Sequence, residues 1–290
     1  KQLTKELSKE LGYNLKQGRI DESAHPFTIG MEDDVRITNR YNQQNLNSIH
    51  SQLHETGHAL YEQGIPQKYH GTPIGQAISA GYHESQSRYI ENQIGRSKEY
   101  TEHLLPKLKN YFPQLKNHTT EEYYKTINQV KPSNIRVEAD EVTYNLHIIL
   151  RFEIELKLFR NQIQPKEIPQ IWNQKMDEYL GITPETPAQG FLQDIHWSTG
   201  QFGYFPTYTL GNLYAAQINN TIKQQIPQYK QKIKNGNFKP ITKWLKNNIH
   251  KKGRKNLAPK TTKQITGEKL NEKHLINHLK QKYYPLYNIK

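Results

Sequence analysis

Apolar and polar positions alternate along this chain mostly with the helical period. The clearest case is the run from Ile49 to Tyr61, which places a helix over residues 45–63, ended by Gly64. The same pattern predicts a helix over 3–16, closed near Gly18, and another over 78–94, stopped at Gly95. Further helices are expected at 98–111, 120–129, 168–180, 206–225, 238–250 and 268–282. The longest is expected at 139–161, with Pro165 and Pro169 beyond it. Strand signals are few; Val35-Arg36-Ile37-Thr38 alternates apolar and polar and reads as a short strand. Residues 21–30, punctuated by Pro26 and Gly30, read as a loop. The expected fold class is therefore mainly α with few short strands.

Composition sharpens this picture in two places. The chain has 290 residues and no cysteine, which excludes a disulfide scaffold and Cys-ligated metal and fits a reducing, cytoplasmic compartment. No apolar run is long enough to span a membrane, and no leader segment is visible. The net charge of +13 is unevenly spread: residues 221–290 hold 18 Lys/Arg against Glu268 and Glu272, while the rest is slightly acidic. Its lysines stand singly, without regularly interleaved aromatics. We therefore read this basic C-terminal segment as solvated helix faces rather than a nucleic-acid surface.

The chemistry centres on His54-Glu55-Thr56-Gly57-His58. On a helix, positions i and i+4 share a face, so both imidazoles can reach one metal ion, with Glu55 beside them to act on a water. In a chain with 13 histidines such a motif also arises by chance, so context must decide. A hydrolytic metal site needs a third protein ligand. Glu84, on the next expected helix, is the candidate; His83 is its rival, and Glu62 and Glu91 are further alternatives. The segment from His196 to Tyr208 carries three groups that could stabilise an oxyanion, His196, Tyr204 and Tyr208, although a packed aromatic loop would look the same.

Six motifs in order extend the signal: His25-Pro26-Phe27; Asp34-Val35-Arg36-Ile37-Thr38; the HETGH helix continuing Ala59-Leu60-Tyr61-Glu62-Gln63-Gly64; His83-Glu84-Ser85-Gln86; Ile135-Arg136-Val137-Glu138-Ala139-Asp140; and Gly190-Phe191-Leu192-Gln193-Asp194-Ile195-His196-Trp197. Together they resemble the carboxypeptidase Taq family of zinc metallocarboxypeptidases, over essentially the whole chain. The resemblance implies a helical fold with a substrate groove, of the neurolysin-like kind. It implies zinc, with cobalt fitting the same donors, held by His54, His58 and Glu84, with Glu55 as general base. It also implies peptide substrates shortened one residue at a time from the C-terminus, and a homodimer.

A carboxypeptidase must grip a terminal carboxylate, which suits arginine's planar fork. Arg136 is the preferred clamp and Arg36 the second, each with a salt bridge (Asp140 or Asp34) as the plain alternative. Asn39 stands where the family usually repeats a threonine, and Tyr89-Ile90 where Leu-Trp is usual. Family members are also longer at the N-terminal side, so residues 1–290 read as a single catalytic domain without that part. The competing expectation is a truncated relative that binds zinc or peptide without efficient turnover.

Overall fold

The HETGH run forms α2 (Asn47–Glu62), whose buried side includes Ile49, Leu53, Glu55, Thr56, Gly57, Ala59 and Tyr61. A computed structural model of the chain describes residues 1–42 and 45–290. Among them the chain is mainly helical, as the apolar periodicity predicts, and it divides into two compact units: Lys1–Ile127 with Leu210–Lys290, and Asn128–Thr209.

In the first unit α2 packs against α1 (Gln2–Glu10), α3 (Ala80–Arg88), α10 (Lys239–Asn248) and a three-stranded sheet. The helix expected over 3–16 is shorter than its pattern. It ends where Gly12 takes a φ of +104°, and Tyr13 turns to donate its hydroxyl to the carbonyl of Val35. The segment read as a loop is also different: it contains β1 (Ile20–Glu22) and β2 (Phe27–Met31), which flank β3 (Asp34–Asn39) in the order β1-β3-β2. β1 runs parallel to β3 and β2 antiparallel to it. Val35 and Ile37 point inward onto Ala59 of α2, while Phe27, Ile29 and Met31 stay exposed. β2 does alternate, Phe27, Ile29 and Met31 against Thr28 and Gly30, but its apolar side is the exposed one, and Pro26 and Gly30 punctuate the segment as they would a loop.

The helix expected over 78–94 is two structures. α3 starts at the Ser79 cap, and its last turn widens into a π-helical stretch over Tyr89–Gly95. Gly95 leaves room here for Leu53, whose Cδ1 would lie 2.6 Å from a Cβ at that position and would have to move aside. α4 (Lys98–Tyr111), α5 (Thr120–Ile127) and α8 (Pro206–Gln225) follow their patterns closely. The basic C-terminal segment is helical and holds α9 (Tyr229–Lys234), α10, α11 (Ala258–Thr266) and α12 (Lys273–Leu286), of which α9 and α11 are too short to show a period. Their apolar sides, including Ile233, Ile241, Leu245, Ile265 and Leu275, join the main core with Leu7, Leu53, Tyr82 and Ile218.

The second unit is built on α6 (Tyr144–Phe159) and α7 (Ile168–Leu180), which bury Leu150, Ile154, Trp172 and Met176 between them. α6 begins later than residue 139 because Asp140 holds a turn ahead of it: its carboxylate accepts from the backbone N–H groups of Val142 and Thr143. No helix among the described residues is long and apolar enough to cross a membrane.

Candidate metal centre

His54 and His58 project from one face of α2, and Glu84 from α3 faces them. Their donor atoms lie within 4.8 Å of one another. His58 Nε2 is 3.4 Å from Glu84 Oε2, and His54 Nε2 is 3.8 Å from the same oxygen. A tetrahedral ion with bonds of about 2.0–2.1 Å separates its ligands by about 3.4 Å, so a small divalent cation fits between these three groups.

Two glycines make this approach of helices possible. A Cβ on Gly57, within the HETGH motif, would fall 2.5 Å from Ser87 Cα and closer still to the Gln86 carbonyl oxygen. Gly211 of α8 presses on Glu84 itself, where a Cβ would stand 2.8 Å from that residue's Cβ. The backbone of α3 is thus drawn against α2, and the Glu84 side chain is held from the other direction.

The charged groups around the site orient it. His54 Nδ1 bonds Glu91 Oε2 at 2.8 Å, which leaves Nε2 facing Glu84. Arg88 Nε donates to Glu84 Oε1 at 2.8 Å, and its Nη1 reaches Glu91 at 3.2 Å. Burial holds His58 down to about 3, so its ring is neutral and keeps a lone pair for coordination. Burial also opposes charge on His54, but the carboxylates of Glu84 and Glu91 outweigh it and raise its pKa. Glu84 is buried, yet His54 and Arg88 hold its carboxyl well below the ordinary range.

Glu55 lies next to His54 in sequence, and its Oε2 accepts from the Thr28 hydroxyl at 2.7 Å. Burial raises its pKa above the ordinary carboxylate value, with His54 and Thr28 partly opposing. β2 therefore matters chemically, because it delivers Thr28 to Glu55.

The alternatives for the third ligand find other places. His83 bonds Glu62 at 2.7 Å and stacks on the His58 ring with centroids 4.4 Å apart. Glu91 orients His54 as described. Glu91 was expected only as an alternative ligand; its bond to His54 comes from the π-helical stretch that follows α3. Nothing in the sequence pointed to Thr28 or Gly211.

The arginines are both paired. Arg36 lies on β3, half exposed, with its Nε and Nη2 on Asp34 at 2.9 and 2.6 Å. Arg136 is buried in the second unit, where its partner is Asp194 rather than Asp140: Nε and Nη2 donate to Asp194 Oδ1 at 3.0 and 2.7 Å, and Nη1 donates to the Tyr144 hydroxyl at 3.0 Å. The same unit brings His196, Tyr204 and Tyr208 together. His196 Nε2 lies 3.0 Å from the Tyr208 hydroxyl, and the rings of His196 and Tyr204 have centroids 5.4 Å apart.

Comparison with known proteins agrees with the motif order. The profile of the carboxypeptidase Taq (M32) metallopeptidase family matches residues 1–283. Carboxypeptidase 1 of Bacillus subtilis is 44% identical over 99% of this chain and 59% of its own length. Thermostable carboxypeptidase 1 of Thermus thermophilus is 44% identical over 97% of this chain and 56% of its own length. The crystal structure of the M32 carboxypeptidase from Deinococcus radiodurans superposes with a TM-score of 0.97 at 36% identity, covering 99% of this chain and 59% of that one. This chain thus spans between 56% and 59% of the length of these relatives.

Proposed function

The chain belongs to the carboxypeptidase Taq (M32) metallopeptidase family, and we propose that it is a metallocarboxypeptidase that removes single residues from the C-termini of peptides. The observation that carries the reading is the His54, His58 and Glu84 cluster with Glu55 seated beside it. Family membership implies a divalent metal there. Two imidazoles and one carboxylate suit zinc, and cobalt would be accepted by the same donors. When bound, the metal supplies the Lewis acidity that makes a water nucleophilic near neutral pH.

Glu55 takes the proton from the attacking water and returns it to the leaving amine. Thr28 holds Oε2 of Glu55, so Oε1 is the oxygen left to receive that proton. His196, Tyr204 and Tyr208 are the donors we assign to the developing oxyanion. Arg136 is our choice for the terminal carboxylate. It has five N–H donors, of which, among the described residues, Asp194 and Tyr144 engage three, leaving one each on Nη1 and Nη2 for a second carboxylate. Arg36 is the second choice, more exposed and with its fork on Asp34 among the described residues. A homodimer and a cytoplasmic location accompany this reading; the cysteine-free composition suits the latter.

The test is hydrolysis of an N-blocked dipeptide or tripeptide with a free C-terminus. Activity should vanish on treatment with a chelator, return on adding zinc, and be poor on the C-terminally amidated peptide. A chain that binds zinc at the site yet cleaves none of these peptides refutes the proposal.

A further inference from the structure

Asp194 is shared. Its Oδ1 takes Arg136, and its Oδ2 accepts from Arg151 Nε at 2.8 Å, with Arg151 Nη2 at 2.7 Å. Two guanidiniums therefore meet one carboxylate, and no other carboxylate among the described residues forms an ion pair with either arginine. Glu155, one turn along α6 from Arg151, forms no ion pair with it among the described residues. Its oxygens are engaged by Trp197 Nε1 at 2.7 Å and the Gly203 N–H at 3.1 Å, and burial raises its pKa.

Arg151 is fully buried. Its guanidinium lies 4.5 Å over the Trp172 ring, and its Nη1 donates to the His147 carbonyl at 2.7 Å. Burial and the neighbouring Arg136 make its charge costly, pulling its pKa down to about 10, yet it remains a cation at neutral pH. Stability alone does not call for it. The Arg136–Asp194 pair is already neutral, and a second buried cation adds a desolvation cost that one shared carboxylate repays only in part.

We propose that Arg151 is a positioning residue for substrate recognition: by sharing Asp194 it leaves the Arg136–Asp194 pair with one uncompensated positive charge, which the terminal carboxylate of a bound peptide neutralises. This rests on the reading of Arg136 as the carboxylate clamp. Arg151 does not touch the substrate; it acts by drawing Asp194 away from complete neutralisation of Arg136. Without it, Arg136 and Asp194 form a closed pair with little attraction for a second carboxylate.

The experiment measures binding and turnover of one peptide in free-acid and amidated forms, using the zinc-loaded full chain. Arg151→Gln keeps a donor for Asp194 and removes the charge; Arg151→Lys keeps the charge. Arg151→Gln should weaken the free-acid peptide by roughly tenfold or more in KM and Kd, leave the amide unchanged and leave kcat little affected, while Arg151→Lys should recover most of the loss. If Arg151→Gln does not fold, Arg151→Met, which fills the stem's volume, is read in the same way. Equal weakening of both peptides, no weakening of either, or an Arg151→Lys variant as poor as the neutral one overturns the inference. The clamp reading is checked separately with Arg136→Ala. If the free-acid preference survives that change, the clamp reading fails and this inference with it; if it is lost there but survives at Arg151, only the role of Arg151 fails.

Discussion

Replacing Gly57 by alanine tests the central geometric claim, that the metal site exists because two helix backbones nearly touch. The methyl group would start 2.5 Å from Ser87 Cα and closer to the Gln86 carbonyl oxygen, where ordinary contact begins at about 3.4–3.6 Å. Both obstacles are backbone, so no rotamer change relieves them, and α2 and α3 must part by about 1 Å. Alanine restores up to about 1 kcal/mol of helix propensity. Overpacking costs about 1–3 kcal/mol and more where backbone must move, so the net loss of stability is about 2 kcal/mol or more. The site is affected more. His54 and His58 ride on one helix and Glu84 on the other, while metal–ligand distances tolerate only about 0.2 Å. Zinc affinity should therefore fall at least tenfold, the scale seen when groups supporting a metal's ligands are disturbed. Competition against a chromophoric zinc chelator gives the affinity, and thermal unfolding with and without zinc gives the stability. An alanine variant that binds zinc as tightly as the parent would refute the argument, whatever its Tm.

Other perturbations separate the remaining roles. Glu55→Gln should retain zinc and lose about 10²–10⁴-fold in kcat, measured on the free-acid peptide; unchanged turnover would remove Glu55 as the base. Glu91→Gln weakens the partner that holds the His54 ring, and chelator competition should report a 10- to 100-fold loss of zinc affinity, by about the scale for outer-shell partners. Asp194→Asn strips two buried arginines of their carboxylate and should cost about 3–5 kcal/mol, read as a lower Tm. Burial works against the Asp194 carboxylate, but Arg151 and Arg136 together hold its pKa below the ordinary value. Its contribution is then complete above the unfolded carboxyl pKa of about 3.9 and is lost as pH falls through the lower folded value. An acid-unfolding midpoint identical in parent and Asp194→Asn would contradict this.

Much of the architecture was legible because helices are local. α2, α4, α7 and α8 repeat a buried stripe that their own sequence spacing displays, and the i, i+4 spacing of His54 and His58 needs no tertiary information to put both rings on one face. Glu84 was a candidate from its place on the following helix, and the order of motifs raised it above His83, Glu62 and Glu91. What was not legible is whatever depends on residues far apart in sequence. β2 alternates apolar and small or polar residues, but its short run is punctuated by Pro26 and Gly30 and its apolar side faces outward, so the strand that carries Thr28 to Glu55 read as a loop. The widening of the α3 end into a π-helical stretch leaves no mark in composition, and it is from that stretch that Glu91 reaches the His54 ring.

The sequence by itself determined the mainly helical class, the two imidazoles of the metal site and the family, because these follow from short-range periodicity and ordered motifs. Only the tertiary structure decided why Gly57 and Gly211 must be glycines, and that His83 serves Glu62. It also decided that Arg136 shares Asp194 with Arg151 instead of pairing with the nearby Asp140. Those choices are set by how closely distant backbones approach and by how buried charges are apportioned. Neither quantity is written in the spacing of residues along a chain.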